Sequence, residues 1–266
     1  MGDVERDLLG VAETVAREAA ELARSYRDEA IRQVDTKSSE TDPVTAADRA
    51  TERLIRTRLA ELRPGEPVLG EEEGGGGGAG AGTVRWVVDP IDGTVNYLYG
   101  YPWYAVSVAA QVDGVSVAGV VLEPASGRCW AAERGAGATL DGVPLRVSAA
   151  ERLDLALVGT GFAYRPDRRR RQAAGVAELM GRLRDIRRSG SAALDLCAVA
   201  AGWLDGYFEH GLSRWDWAAG ALIAEEAGAL VRLPGELRGP DLLLAATPGI
   251  AEELTAALDE AGLFDL

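Results

Sequence analysis

Asp89-Pro-Ile-Asp-Gly-Thr-Val-Asn-Tyr97 follows directly on the short apolar run Arg85-Trp-Val-Val88. Such a run predicts a buried strand, so the two aspartates are expected where strand gives way to loop. Pro90 stiffens the turn between them. Gly93 gives the backbone room to approach a ligand, and Thr94 adds a hydroxyl and a backbone N–H. The segment can present two carboxylates to a cation and two N–H groups to a phosphate. A bare D-x-x-D-G also fits an ordinary Asp- and Gly-rich strand end; the full nine-residue string is far more specific.

Two further acidic features flank it. Gly70-Glu71-Glu72-Glu73 lies upstream, and taken alone it reads as a solvated loop. Asp216 lies downstream in Arg214-Trp-Asp-Trp-Ala-Ala-Gly220. An acid at the start of an apolar helix commonly caps it, yet Trp215 and Trp217 point to a partly buried setting where a carboxylate needs a partner. Between Glu73 and Asp89, Gly74 to Gly82 is low in complexity and is expected to be a flexible loop. It is not a Walker-type phosphate loop, because no lysine follows its glycines.

Hydrophobic spacing outlines the rest. Leu8, Val11, Val15, Leu22 and Tyr26 predict one face of an N-terminal helix, and Leu54, Ile55, Leu59 and Leu62 predict a second over about 47–62. From Trp86 to Ser148 the pattern predicts an antiparallel meander, with Asp113-Gly114 and Asp141-Gly142 as turns. After Leu153, strands near 155–159, 205–209 and 242–246 alternate with helices near 168–183, 192–201, 216–227 and 250–261. That alternation predicts a partly parallel α/β half. The expected organisation is an α+β half over 1–150 and an α/β half over 151–266.

Composition narrows the chemistry. The formal net charge is −14, which disfavours a nucleic-acid or anionic-membrane footprint. There is no apolar run long enough to span a bilayer and no signal-like N-terminus, so a cytoplasmic location is expected. Cys129 and Cys197 fit no zinc spacing, and one histidine, His210, cannot build a histidine metal cluster. Lys37 is the only lysine. Arg165 and Arg168 to Arg171 read as a solvated helix start, whereas Arg187-Arg188 lies nearer the proposed site.

Taken together, Glu71-Glu72, the Asp89–Tyr97 string and Trp215-Asp-Trp-Ala-Ala-Gly220 resemble, in order and spacing, the inositol monophosphatase family of lithium-sensitive, magnesium-dependent phosphatases. Lys37-Ser-Ser-Glu-Thr-Asp-Pro-Val-Thr-Ala-Ala-Asp48 resembles that family's N-terminal element, and Gly190-Ser-Ala-Ala193 with Glu209 its sugar-facing segment. The similarity spans about residues 30–230; the glycine insertion at 74–82 is its one departure. It implies a layered αβαβα sandwich and a homodimer with two to three Mg²⁺ ions per subunit. Glu71, Asp89 and the Ile91 carbonyl would bind one ion; Asp89, Asp92 and Asp216 would bind another. Glu72 and Thr94 would orient the attacking water, with Lys37 and Asp48 as an outer electrostatic shell. Gly93 and Thr94 would bind phosphate; Asp92, Ser191, Ala192 and Glu209 would contact the alcohol.

The all-oxygen ligand set suits Mg²⁺ rather than Zn²⁺. The expected activity is hydrolysis of a small polyol phosphate, inositol 1-phosphate first. Histidinol phosphate, fructose 1,6-bisphosphate and 3′-phosphoadenosine 5′-phosphate are the same-fold alternatives. An interaction protein for transcription machinery is the alternative of another class.

Overall fold

The structure, a computed structural model, describes residues 2–30, 34–36, 43–75 and 80–266. Lys37 and residues 76–79 of the glycine stretch lie outside them. The chain begins with α1 (Gly2–Ala30), a short hairpin of β1 (Val34–Thr36) and β2 (Pro43–Thr45), and α2 (Ala46–Leu62). There follow β3 (Val68–Gly70), β4 (Val84–Asp92), α3 (Thr94–Leu98), β5 (Ala105–Val112), β6 (Val115–Leu122), β7 (Cys129–Glu133), β8 (Gly137–Leu140) and β9 (Val143–Pro144). These seven strands, β3 to β9, form one sheet in sequence order. All pairs are antiparallel except β3 with β4.

The second sheet is built from β10 (Leu157–Thr160), β11 (Asp185–Arg187), β12 (Gly206–His210), β13 (Leu230–Arg232) and β14 (Leu242–Ala246), in the order β11-β10-β12-β14-β13. β10 runs parallel to both neighbours, while β14 is antiparallel to both of its own. The helices here are α4 (Pro166–Leu179), α5 (Ala192–Ala200), α6 (Arg214–Glu226) and α7 (Pro248–Glu260).

Three apolar clusters stack these elements into five layers. Leu8, Val15, Ile55 and Leu59 of α1 and α2 pack on Trp86, Val88 and Val108 of the first sheet. Its other face, through Val87 and Ala109, meets α5 and α6, whose far side reaches Tyr207 and Leu243 of the second sheet. Leu179, Ile250 and Leu254 of α4 and α7 close the outer face on Val158 and Phe208. The result is the αβαβα sandwich. Helices α5 and α6 are buried along nearly their whole length because a sheet covers them on both sides.

The turns follow local chemistry. Asp113 and Gly114 adopt φ 50° and 83°, and Asp141 and Gly142 adopt 51° and 79°, the left-handed pairs a two-residue hairpin turn requires. One expectation is corrected. Asp92 does end the strand, but Asp89 lies inside it, since β4 runs on through Pro90 to Asp92. Its pairing with β5 shifts register between Asp89 and Asp92, where Pro90 has no N–H to give the ladder.

Candidate active site

The site forms where the end of β4 meets the N-termini of α5 and α6. Asp89, Asp92 and Asp216 each bring a carboxylate oxygen within 4.8 Å of the others. Asp89 is 1% exposed and Asp92 8% exposed. Backbone donors hold all three in place. Asp89 Oδ1 accepts the Ile91 N–H at 3.0 Å. Asp92 Oδ2 accepts the Ser191 hydroxyl at 2.5 Å and the Ala193 N–H at 2.7 Å. Asp216 Oδ2 accepts the Ser213 N–H at 2.6 Å, the reach-back of an acid at the third position of a helix. Asp92 and Asp216 thus each anchor Oδ2 at a helix N-terminus.

Burial pushes the Asp92 and Asp216 carboxyls up, and the neighbouring acids push them further. For Asp92 these are Glu209 and Glu71, against the lowering effect of Ser191 and Ala193. For Asp216 they are Asp92, Glu71 and Glu209. Three oxygen ligands this close and this buried repel one another unless a cation or protons intervene. The hard-oxygen donor set, without histidine or thiolate among the described residues of the cluster, fits a divalent cation of the Mg²⁺ type.

The cluster opens into a cavity of about 430 Å³. Glu71, Ile91, Gly93, Thr94, Ala192 and Glu209 also line it, so most sequence-predicted site residues converge there. Gly93 adopts φ 95°, and a Cβ would lie 3.1 Å from the Gly190 and Trp103 carbonyl oxygens. Thr94 Oγ1 lies 3.1 Å from Asp48 Oδ1 and 3.2 Å from the Ile91 carbonyl. Its proton is therefore committed to these acceptors, and its lone pairs are left to accept from water. Asp48 is fully buried behind Thr94.

Besides Asp48, two predicted residues sit off the cavity wall. Ser191 is 1% exposed and stands behind Asp92 as the cap of α5, so it orients the carboxylate rather than lining the cavity. Glu72 is half-buried and does not line the cavity either. Lys37 lies outside the described residues.

Tyr207, Gly161 and Asp195 escaped the sequence reading. Glu209 receives the Tyr207 hydroxyl at 2.5 Å, from two positions earlier on the same face of β12. Burial raises its carboxyl, while Tyr207 and Arg188 hold it down. Gly161 makes the space for it, because a Cβ there would fall 1.9 Å from the carboxylate carbon. Asp195, one turn into α5, is a further buried acid, pushed up to about 8 by burial and by Glu209 and Asp92. His210 lines the cavity wall, but its Nε2 is tied to the Leu263 carbonyl at 2.6 Å.

A layered α/β fold with clustered carboxylates on a polar cavity offers a site for a divalent cation and an anionic substrate. Residues 5–262 match the inositol monophosphatase family, and the chain belongs to that family. An inositol-1-monophosphatase of Mycobacterium leprae is 55% identical over 93% of this chain and 92% of its own. The solved structure of Mycobacterium tuberculosis SuhB superposes with a TM-score of 0.83 at 48% identity, covering 96% of both chains. A Pseudomonas aeruginosa relative named Nus factor SuhB is 43% identical over 84% of each chain. Among the described residues, no helix is long and apolar enough to cross a membrane.

Proposed function

We propose that this phosphatase hydrolyses a small polyol phosphate, inositol 1-phosphate first, with Mg²⁺ at the carboxylate cluster. The observation that carries the reading is the convergence of Asp89, Asp92 and Asp216 within 4.8 Å on a polar cavity. The M. leprae relative's name supports the substrate. Two to three cations held there would neutralise the phosphate dianion and make water easier to ionise.

In this reading Glu71, Asp89, the Ile91 carbonyl, Asp92 and Asp216 hold the cations. Gly93 and Thr94 receive the phosphate oxygens through their N–H groups. Thr94 Oγ1 accepts a hydrogen bond from the attacking water, its own proton being turned toward Asp48 and the Ile91 carbonyl, and Glu72 assists. Lys37 completes the outer shell with Asp48. Asp92, Ala192 and Glu209 face the alcohol, with Ser191 acting through Asp92. The same reading divides the chain into halves at about residue 150, with the active site between them. A homodimer belongs to the same reading. Lithium sensitivity and a cytoplasmic setting complete it.

Phosphate release with Mg²⁺ should be fastest on inositol 1-phosphate among that substrate, histidinol phosphate, fructose 1,6-bisphosphate and 3′-phosphoadenosine 5′-phosphate. It should vanish in chelator. Preference for one of the other three would move the assignment within the fold; full turnover in chelator would overturn the metal reading.

Glu209 should select the alcohol. Losing a hydrogen bond to a charged group costs on the order of 1.5–3 kcal/mol, or roughly 10- to 150-fold. Glu209→Ala should lower kcat/KM on inositol 1-phosphate by about that factor and leave an aryl phosphate nearly untouched. Glu209→Gln, which can still accept the Tyr207 hydroxyl, separates charge from packing. Equal losses on both substrates would make Glu209 a support of the fold.

The P. aeruginosa relative's name brings a second reading, an interaction with transcription machinery. A cellular role that survives Asp89→Ala would belong to binding rather than catalysis.

A further inference from the structure

Glu52 was not singled out by any motif, yet it is fully buried on α2. Its carboxylate reaches the loop after β3. Oε2 accepts the Glu72 N–H at 2.6 Å and Oε1 accepts the Glu73 N–H at 3.0 Å. Arg56, one turn further along α2, pairs with Glu52 at 2.8 Å and donates to the Val68 carbonyl at 3.2 Å and to the Gly74 carbonyl. Its Nε also lies 3.6 Å from the Glu73 carboxylate. The two ends of the loop are pinned together, since the Gly70 N–H donates to the Gly74 carbonyl at 3.0 Å.

Gly70 makes this arrangement possible. A Cβ there would fall 2.4 Å from Glu52 Oε1 and 2.5 Å from its carboxyl carbon. The carboxylate therefore lies against bare backbone, which is how it reaches two consecutive amides. A charge buried this fully is retained only where ionic and hydrogen-bond partners compensate it. Here those partners are one arginine and the loop itself.

The loop held in this way carries Glu71 into the cavity. The same helix, one turn earlier, sends Asp48 to Thr94 at 3.1 Å. The face of α2 that packs inward thus braces the site at two points four residues apart. We infer that Glu52, clamped by Arg56 and admitted by Gly70, is a positioning residue that sets the loop carrying Glu71 for cation binding. It acts through the backbone amides of residues 72 and 73 and touches neither cation nor substrate. The inference rests on the Mg²⁺ reading above. Outer groups that orient metal ligands typically contribute 10- to 100-fold to metal affinity.

The test is calorimetric Mg²⁺ binding to the full chain, with amide hydrogen exchange as a second readout. Glu52→Gln should weaken Mg²⁺ binding about 10-fold or more and speed exchange at the amides of Glu72 and Glu73. Saturating Mg²⁺ should restore kcat to within about threefold, because the ligands themselves remain. Leu59→Ala is the control for stability alone: Leu59 is equally buried on α2 but packs into the apolar cluster. It should lower the melting temperature and leave Mg²⁺ affinity unchanged. In a Glu71→Gln background, Glu52→Gln should lose most of its effect, since the ligand it positions is already impaired. If Glu52→Gln fails to fold, Arg56→Lys, which loses the forked contacts, should show the same weakening of Mg²⁺ binding. Equal affinity in wild type and both folded variants would overturn the inference alone, as would equal weakening in Leu59→Ala. A wild-type chain that binds no Mg²⁺ would overturn the metal reading and this inference together.

Discussion

Asp89→Asn should lower phosphate release by about three orders of magnitude or more while leaving the fold intact. Asp89 lies inside β4, opposite Ser107, with 1% exposure. Its Oδ1 accepts the Ile91 N–H at 3.0 Å, and the amide oxygen of asparagine can keep that bond. Shape and local pairing therefore survive, and the loss is one negative charge next to Asp92 and Asp216. In the proposed reading Asp89 is one of the groups that would hold the cations, so its charge would count directly in their binding. Charge stabilisation by such cations is worth several kcal/mol in the transition state, and about 4 kcal/mol is roughly a thousandfold in rate. Turnover of inositol 1-phosphate with unchanged circular dichroism would measure it. Activity within tenfold of wild type would show that no essential cation rests on Asp89.

The fold was legible where burial has one side. The hairpins at Asp113-Gly114 and Asp141-Gly142 announce themselves because few residues other than Gly, Asn and Asp take a positive φ without strain. Helix α2 shows its period through Ile55 and Leu59. Strands β3, β11 and β13 escaped because three residues cannot display an alternation. They exist through pairing with β4, β10 and β14, a long-range fact that no local window contains. The continuation of β4 through Pro90 escaped for the same reason. Only pairing with β5 shows that the strand resumes at Asp92 after the register shift.

Much of the site was legible as motif and little of it as support. Glu71, Asp89, Asp92 and Asp216 were named by the family resemblance of the motifs that carry them. The groups that hold them were read past for lack of a local oddity. Glu52 looks like half of an ordinary i,i+4 pair with Arg56, a pattern typical of exposed helices. One signal was available: Asp48 and Glu52 fall on the same stripe as Ile55 and Leu59, so α2 carries two carboxylates on its apolar face. A buried acid needs a partner, and that stripe is where to look for one. Gly161 and Gly70 gave no such sign, because a glycine that clears space for a distant side chain is indistinguishable in sequence from one that makes a turn.

Asp92→Asn should make the metal-free protein more stable even as it removes activity. Burial, with Glu209 and Glu71 nearby, raises the Asp92 carboxyl from 3.8 to about 7 in the folded chain. A carboxyl with a higher pKa when folded binds more protons in that state between the two values. Folding is therefore weakened as pH rises through that window, and the penalty is fully present above it. At about 1.4 kcal/mol per pKa unit, with neighbouring charges relaxing, the penalty at pH 8 is on the order of 1–4 kcal/mol. Asparagine carries no such charge. Its carbonyl oxygen can accept both the Ser191 hydroxyl and the Ala193 N–H that Asp92 Oδ2 accepts. Its amide then points a donor at the remaining acids. In chelator at pH 8 the variant should melt above the wild type, and the gap should close below about pH 3, where Asp92 is protonated in both states. Mg²⁺ should stabilise the wild type by mass action and the variant much less, reversing the order. A variant that melts below the wild type in chelator at pH 8 would mean that the cluster is held by compensating contacts rather than strained by its own charge. The activity of this site would then come without the stability cost that three converging carboxylates impose.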